Sequence, residues 1–228
     1  LLPRPGAVIL PGSTEEVQAI VKACNRFKLK FKAHSTGWIA PAFVAEEGGV
    51  DIDLRRMNRI LEIDEKNQYA VVEPYVICAQ LMAELMKVGY TCNIIAAGSN
   101  TSMLASCTSG WGWGYNSHGY GVNSRNLLAA EWVLPTGEIM RTGSLGSGAG
   151  YFCGDGPGPS FRALARGQAG ALGSLGIFTK CATKIYHWPG PPKLELEGRA
   201  PDWVLANPVE NFTIVSVLLP SFENFVNA

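Results

Sequence analysis

The sequence has no excess charge of either sign and no long apolar run. Its 228 residues include 19 Lys and Arg against 19 Asp and Glu, which gives a formal net charge of +0. A balanced chain without a basic cluster lacks the electrostatic surface that attracts nucleic acids and anionic membranes. No stretch reaches the roughly 18 apolar residues that a membrane-spanning helix needs. We therefore expect no nucleic-acid partner and no membrane span.

Paired cysteine motifs are also missing. The six cysteines stand apart, without a C-x-x-C pair and without a His at metal-ligand spacing, which argues against a zinc or iron–sulfur site. Isolated cysteines in a chain of this size are typical of a reducing compartment, and we expect a cytoplasmic protein. A P-loop and a G-x-S-x-G nucleophile elbow are absent. The sequence GSGAG (146–150) is not followed by an apolar helix, so we reject a Rossmann site there.

Glycine, by contrast, is abundant, with 26 residues. Residues 109–121, SGWGWGYNSHGYG, combine it with Trp and Tyr, and we call them the glycine-aromatic loop. Such a loop allows the backbone to approach a flat ligand closely, although its aromatic residues could equally pack the domain. His118 lies in this loop, and His is the side chain best suited to move protons near neutral pH. An ordinary surface histidine is the alternative interpretation.

The first part of the chain predicts a small α/β layer. A short apolar strand at 7–10 precedes a helix that Ser13 or Thr14 can cap, with Glu16 completing a capping box. Two further strands are predicted at 30–34 and 49–54. Strand, helix, strand, turn and strand in this order form one layer of helix on sheet.

The middle of the chain predicts two hairpins and a helix. The hairpins comprise 59–64 with 69–76 and 127–134 with 139–143, joined by the turns EKNQ and PTGE. Between them, 78–90 reads as a helix with Leu81, Leu85 and Val88 on one face. Residues 160–186 predict a short helix, a glycine turn and a strand, and 187–192 predicts a linker.

Five segments, in this order, resemble the FAD-binding domain of the vanillyl-alcohol oxidase / p-cresol methylhydroxylase superfamily, the PCMH-type FAD-linked oxidases that include glycolate and D-lactate dehydrogenases. They are PGAVILPGSTEEVQAIVKACNRF, KFKAHSTGW, VDIDLRRMNRILEIDEKNQYAVVEPYV, YGVNSRNLLAAEWVLPTGEIMRTG and GALGSLGIFTKCATKIY. The third is the most specific match, because it is similar to the family pattern DL.rMN.i..id....a.VepGv. The resemblance covers residues 3–187.

The resemblance implies an α+β fold with two subdomains. Residues 1–62 would form a small parallel α/β layer, and 63–187 a larger, mostly antiparallel sheet with helices. Residues 188–228 would be a linker and the beginning of a substrate-binding cap domain. The chain starts and stops abruptly, and we expect it to be a fragment of a longer protein.

The same resemblance implies FAD as the cofactor and assigns its contacts. Residues of the 34–38 loop would cradle the pyrophosphate, Pro74 would lie near the cofactor, and residues of the 98–103 loop would contact the second phosphate and ribose. Further residues would line the flavin, follow its ring, or close around the adenine side or the ring edge. The implied cofactor-binding residues are His34, Ser35, Thr36, Gly37, Trp38, Pro74, Gly98, Ser99, Asn100, Thr101, Ser102, Met103, Ser106, Cys107, Thr108, Gly110, Gly112, Gly114, Gly173, Gly176 and Ile177.

The sequence departs from the family in ways that bear on the cofactor. Some members attach FAD covalently through a His at the end of the first loop, and the matching position here is Trp38. An indole cannot form that bond, so we expect FAD to be held without a covalent link. The first loop also lacks the usual paired glycines, and MLAS (103–106) replaces a glycine-rich family segment.

The implied activity is oxidation of an alcohol-type substrate, such as a 2-hydroxy acid, by hydride transfer to flavin N5. His118, Tyr115 and Tyr120 are the local candidates for catalysis, and His187 and Trp188 stand at the predicted hinge. The implied partners are a small-molecule substrate and an electron-accepting subunit. The alternative is a non-catalytic scaffold or electron-relay subunit of a larger complex, which the altered glycine motifs would favour.

Overall fold

The computed structural model describes residues 3–38, 47–95, 98–110, 112–114, 116–151, 173–191, 195–199, 202–206 and 218–226. The chain divides into two compact units, Leu1–Pro189 and Gly190–Ala228. The described part of the first unit contains a three-stranded, a five-stranded and a two-stranded sheet, together with the segments to which the family resemblance assigns a cofactor.

The first helix, α1 (Thr14–Phe27), starts at a capping box. The Ser13 hydroxyl accepts a hydrogen bond from Glu16 N at 3.2 Å, and Glu16 Oε2 accepts one from Gly12 N at 2.7 Å. Ser13, and not Thr14, is therefore the cap, because the Thr14 hydroxyl instead donates to Glu131 Oε1 at 2.8 Å. A capping residue of this type stabilises a helix by about 1 kcal/mol.

The smaller sheet contains β1 (Ala7–Ile9), β2 (Phe31–His34) and β3 (Val50–Asp53), which lie parallel in the order β1-β3-β2. Side chains alternate between the faces of a strand. Ile52 belongs to the apolar cluster that contains Val17 and Val21 of α1. The side chains of His34 and Asp51 interact, and His34, the last residue of β2, is also the first residue of the 34–38 loop.

The larger sheet contains β4 (Ile60–Asp64), β5 (Tyr69–Val72), β7 (Leu127–Val133), β8 (Ile139–Arg141) and β9 (Ile177–Lys184). Its order is β4-β5-β9-β7-β8, and all neighbours are antiparallel. Every residue of β7 is buried, which agrees with its apolar sequence and its place between two strands. Trp132 and Phe178 meet in the core with ring centroids 5.0 Å apart.

Short elements cover the larger sheet. They are α2 (Cys78–Met86), β6 (Tyr90–Thr91), α3 (Met103–Thr108), α4 (Ser117–Tyr120), α5 (Asn123–Asn126) and β10 (Tyr186–His187). Leu81 and Leu85 of α2 are fully buried as predicted, but Val88 is 39% exposed because the helix ends before it. The predicted linker at 187–192 begins later, because His187 pairs with Tyr90 in β6.

The second unit contributes a hairpin of β11 (Leu196–Arg199) and β12 (Asp202–Leu205) and a short helix α6 (Phe222–Val226). In the part of the chain that the structure describes, no helix is long and apolar enough to cross a membrane. The helix predicted early in 160–186, together with Cys153, lies outside the described residues.

The fold class predicted from the sequence is confirmed, since a small parallel sheet with a helix precedes a larger antiparallel one. The predicted subdomain boundary at residue 62 falls inside β4, which pairs only with β5 of the larger sheet. The division of the first unit into two subdomains remains a prediction. The compact first unit ends at Pro189, and residues beyond it as a cap domain remain a prediction.

Candidate functional site

The 34–38 and 98–103 loops lie side by side. The Thr36 hydroxyl accepts a hydrogen bond from Ser102 N at 3.2 Å, and the Ser102 hydroxyl donates to the Pro74 carbonyl at 2.6 Å. Three segments that are far apart in sequence thus meet at one place. The family resemblance assigns phosphate contacts to the two loops and places Pro74 near the cofactor.

Trp38 makes the second contact between these loops. A methyl group on Gly98 would lie 2.6 Å from Trp38 Cζ2 and 2.9 Å from Asn100 Oδ1, so the indole packs directly on the Gly98 backbone. Trp38 is nevertheless 45% exposed. Gly37 has φ +72°, a left-handed conformation that favours glycine. The structure therefore gives Trp38 a packing role between the loops.

His34 faces inward, toward two carboxylates of β3. Its Nδ1 lies 2.8 Å from Asp51 Oδ1, and its Nε2 lies 3.8 Å from Asp53 Oδ2. Asp53 in turn pairs with Arg55. Because both ring nitrogens face carboxylates, the ring is not aimed at a phosphate. His34 would instead anchor the start of the 34–38 loop to β3.

Residues 98–103 divide into exposed and buried positions. Ser99 and Asn100 are exposed, whereas Thr101, Ser102 and Met103 are buried. The Thr101 hydroxyl donates to Gly98 O at 2.9 Å, which closes the turn. A phosphate or ribose at this loop would meet the exposed turn Ser99–Asn100, whereas Met103 belongs to the core.

The helix α3 buries all three residues of its predicted flavin-lining set. The Ser106 hydroxyl donates to Met103 O at 2.7 Å and accepts from Asn123 Nδ2 at 2.9 Å. The Thr108 hydroxyl donates to Leu104 O at 2.9 Å. The Cys107 thiol points into the core, 3.5 Å from Thr183 Oγ1. Ser106 is 3% exposed, and Cys107 and Thr108 are 0% exposed, so their contact with a flavin remains a prediction from the resemblance.

In the glycine-aromatic loop, the surroundings of Gly110, Gly112 and Gly114 explain the choice of glycine in different ways. A methyl on Gly112 would overlap Asn123 Cβ, and a methyl on Gly114 would overlap the Ile94 carbonyl oxygen. A methyl on Gly110 would meet nothing closer than Ala105 O at 3.7 Å. Packing within the protein accounts for Gly112 and Gly114, so of these three glycines Gly110 alone leaves room for close approach to a ligand.

The candidate catalytic residues differ in how they are held. His118 is exposed on α4. The Tyr120 ring stacks on Tyr186 with centroids 4.1 Å apart, and the Tyr186 hydroxyl donates to Tyr120 O at 2.9 Å. Tyr115 and its neighbour Trp111 lie outside the described residues. His187 stacks on Tyr90 instead, with ring centroids 5.0 Å apart.

The glycine turn before β9 lies against the smaller sheet. A methyl on Gly173 would come within 3.2 Å of Lys32 Nζ, and one on Gly176 would overlap the Val133 carbonyl. Ile177 is 4% exposed and belongs to the cluster with Val17 and Ile52. Its side chain therefore serves the core, and a cofactor contact is restricted to the turn that precedes it.

Two asparagines that the sequence reasoning did not single out connect these elements. Asn93 and Asn123 are both 1% exposed, and their amides bond to the glycine-aromatic loop and to α3. The sequence signal for Asn93 is a polar residue inside the otherwise apolar stretch after β6. A single polar residue in such a stretch does not indicate a role.

A charged centre holds α1 to the larger sheet. Glu131 is 1% exposed and accepts hydrogen bonds from Thr14 Oγ1 at 2.8 Å and Arg141 Nε at 2.7 Å, with Lys180 Nζ at 2.9 Å. Burial alone raises the pKa of Glu131, but the bonds from Lys180, Arg141 and Thr14 outweigh it and hold that pKa below 4.5. Within the described residues, no group of His, Cys, Asp and Glu could hold a metal ion.

The donors on the two loops fit FAD. The 34–38 and 98–103 loops contain hydroxyls, an amide and backbone N–H groups, and no Asp or Glu. Neutral donors are suited to a pyrophosphate, and the nearby carboxylates of Asp51 and Asp53 are buried and face His34. The two loops are also joined, so one extended ligand can reach both.

Comparison with known proteins agrees with this fit. Residues 5–143 match the model of the FAD binding domain family. An uncharacterised FAD-linked oxidoreductase of Mycobacterium tuberculosis is 34% identical over 141 residues, covering 61% of this chain and 30% of the relative. Glycolate oxidase subunit GlcD of Bacillus subtilis is 30% identical over 197 residues, covering 83% of this chain and 38% of the relative. The chain thus spans 30% of the first relative and 38% of the second.

A solved structure gives the same result. The structure of p-cresol methylhydroxylase with substrate bound superposes with a TM-score of 0.67 and 25% identity, covering 82% of this chain and 36% of that one. In the three-stranded and five-stranded sheets, every strand except β9 (Ile177–Lys184) falls within residues 5–143. The chain belongs to the FAD binding domain family, FAD is its cofactor, and its fold is the PCMH-type fold of the FAD-linked oxidases.

Proposed function

We propose that this chain is the cofactor-binding part of an FAD-dependent oxidoreductase that oxidises an alcohol-type carbon, with 2-hydroxy acids as the first substrate class. The observation that carries the proposal is the convergence of the 34–38 and 98–103 loops through the bond between Thr36 and Ser102. Two donor loops joined in this way provide a continuous surface for the two phosphates of one dinucleotide.

The chain's own residues would bind and orient the cofactor. Backbone and hydroxyl groups at Ser35, Thr36, Ser99 and Asn100 would hold the phosphates, and Gly110 would allow the flavin ring close to the backbone. FAD itself would supply the hydride acceptor, N5 of the ring.

His118 is our candidate for removing the hydroxyl proton of the substrate. It is the histidine of the glycine-aromatic loop, and it is exposed, so a substrate can reach it. Tyr120, fixed by stacking on Tyr186, would form a wall of the same site. Tyr115 is retained as a candidate on its sequence position alone.

The substrate class and the attachment of FAD rest on separate observations. One relative is named as a glycolate oxidase subunit, and glycolate is a 2-hydroxy acid. Trp38 occupies the position at which a covalent His would stand, and it packs on Gly98. We therefore propose non-covalent FAD.

The absorption spectrum of the purified intact protein tests cofactor and attachment together, when it is repeated on the supernatant after acid precipitation. We expect a flavin spectrum that moves into the supernatant. Colour that stays with the pellet would overturn non-covalent binding. A colourless protein that also takes up no added FAD would overturn the proposed function and leave a scaffold built on this fold.

Anaerobic addition of substrate tests the reaction. Glycolate, D-lactate and 4-cresol are added one at a time, and the flavin band near 450 nm is followed. We expect bleaching by a hydroxy acid, and oxygen admitted afterwards shows whether re-oxidation needs a partner subunit. Bleaching by 4-cresol alone would replace the substrate class, and no bleaching by any of them would favour an electron-relay subunit.

A further inference from the structure

Asn93 has a buried carboxamide that reaches both ends of one loop segment. Its Nδ2 lies 3.2 Å from Gly112 O, 3.2 Å from Gly121 O and 3.3 Å from Ser117 Oγ. A carboxamide nitrogen carries two hydrogens, so the three acceptors share them. One side chain therefore closes residues 112–121 into a loop with fixed ends.

The orientation of this amide follows from its surroundings. All three neighbours of Nδ2 are acceptors at the distances given, so a flipped amide would place an oxygen among oxygens. In the observed orientation Asn93 Oδ1 is buried without a hydrogen-bond partner among the described residues. Leaving a buried acceptor unpaired is costly. In the observed orientation this cost is offset by the three acceptors that surround Nδ2.

Gly114 packs on this same side chain. A methyl group on Gly114 would lie 2.8 Å from Asn93 Oδ1 and would overlap the Ile94 carbonyl. Gly114 N donates to Ser117 Oγ at 2.8 Å, and Ile95 bridges to Gly114. The middle of the loop therefore rests on residues 93–95.

A second amide extends the contact to the flavin-lining helix. Asn123 Nδ2 donates to Asn93 O at 3.3 Å and to Ser106 Oγ at 2.9 Å, and Asn123 N donates to Gly112 O at 2.9 Å. The loop, α3 and α5 thus share one buried polar network. In such a network the members rigidify one another, and loss of one member disturbs the rest.

We propose that Asn93 is a positioning residue, which holds residues 112–121 in the conformation that the flavin ring requires without itself touching the cofactor. The proposal rests on the proposed function only for the identity of the ligand. Asn93 Oδ1 and Nδ2 are buried within the protein, so the residue acts through the loop backbone. A displacement of the loop by about 1 Å would weaken cofactor binding strongly.

The test compares Asn93→Ala with Asn25→Ala in the full chain. Asn25 is a matched control, since its Nδ2 also donates to a backbone carbonyl, Pro135 O at 2.8 Å, but on the surface of α1. Hydrogen exchange of the 109–121 peptide is measured without and with FAD, and the FAD dissociation constant is measured by titration. Visible circular dichroism at saturating FAD reports the surroundings of the flavin ring, which a purely structural defect would not change once FAD is bound.

For Asn93→Ala we expect about tenfold faster exchange in the loop, about a tenfold higher FAD dissociation constant and an altered flavin dichroism band. Exchange of β7 should equal that of the wild type, and Asn25→Ala should change none of these. Unchanged loop exchange would overturn the proposal. Faster loop exchange with unchanged affinity and dichroism would overturn it as well.

A second variant covers the case in which Asn93→Ala unfolds. Asn93→Ser keeps a small polar side chain at this buried position, but its hydroxyl stops one bond short of Nδ2, and we expect effects in the same direction. The same readings decide the proposal in that variant. Wild-type protein that takes up no FAD would overturn the proposed function and, with it, the flavin role of Asn93, while the exchange measurement would still show whether Asn93 holds the loop.

Discussion

Two buried polar centres in this molecule have opposite chemistry. Glu131, in the middle of the larger sheet, is a carboxylate bound by Arg141, Lys180 and Thr14. Asn93, beside the glycine-aromatic loop, is a neutral amide bound to carbonyls. The ionic centre joins α1 to the sheet, whereas the neutral centre shapes a loop. The charged centre therefore stabilises the packing of a helix on the sheet, whereas the amide network fixes the conformation of a loop at the candidate site.

Replacing Glu131 by Gln gives the largest effect that this comparison predicts. Glutamine keeps the shape but loses the charge that three donors share, and we expect a loss of about 3 kcal/mol in the free energy of unfolding. The cost stays below the upper end for buried pairs, because Arg141 is 45% exposed and can turn to water. Denaturant unfolding at pH 7 with an unchanged m-value measures it.

A matched surface pair serves as the control for Glu131→Gln. Glu84 lies 2.7 Å from Lys87, but its side chain is 45% exposed, and Glu84→Gln should cost no more than about 0.5 kcal/mol. Equal losses in the two variants would contradict the assignment of Glu131 as a structural centre.

The pH dependence sharpens the same result. Because the pKa of Glu131 is below 4.5 in the folded protein, its charge stabilises the fold above the unfolded-state pKa, and this contribution is lost as the pH falls through the folded-state value. The stability difference between wild type and Glu131→Gln should therefore be full at pH 7 and shrink below about pH 4.5. A difference that grows toward acid pH would reverse the inferred sign.

Sequence patterns were sufficient for the frame. The capped helix, the hairpins and the order of segments depend on local signals, namely a Ser-x-x-Glu box, turn residues and alternating apolar residues. These local signals did not predict burial where it depends on the residue at which a helix ends. Val88 continues the apolar face of α2, yet it is 39% exposed because the helix stops at Met86.

The site was predictable only as a set of segments. The convergence of the 34–38 and 98–103 loops follows from the family resemblance, but the inward-facing ring of His34 and the buried thiol of Cys107 do not. Asn93 and Asn123 are joined across 30 residues of sequence. No local pattern indicates such a pair, because the contact exists only after the loop has folded.

Substitutions at the loop glycines distinguish a packing role from a role in the approach of the cofactor. Gly114→Ala should raise the FAD dissociation constant about tenfold and lower stability, because its methyl would overlap Ile94 O and crowd Asn93 Oδ1. Gly110→Ala should leave stability unchanged, since the nearest atom to its methyl is 3.7 Å away. Thermal unfolding of the protein without FAD and titration with FAD separate the two effects.

The result for Gly110→Ala shows whether the backbone at this glycine faces the cofactor. A higher FAD dissociation constant in Gly110→Ala without loss of stability would mean that this backbone faces the cofactor. An unchanged constant would move the flavin away from Gly110. Stability equal to wild type in Gly114→Ala would contradict the packing explanation for Gly114.

The smallest predicted effect concerns the bond that joins the two phosphate loops. Thr36→Val removes the oxygen that accepts from Ser102 N at 3.2 Å while it keeps the side-chain shape, and we expect a loss of about 1 kcal/mol in FAD binding, about a fivefold higher dissociation constant. Thr136→Val is the matched control, because the Thr136 hydroxyl donates to Glu138 Oε2 at 3.2 Å on an exposed turn. Titration followed by flavin fluorescence measures both variants. If Thr36→Val binds FAD as tightly as Thr136→Val, the packing of Trp38 on Gly98 alone keeps the loops together, and the hydrogen bond does not contribute to the cofactor site.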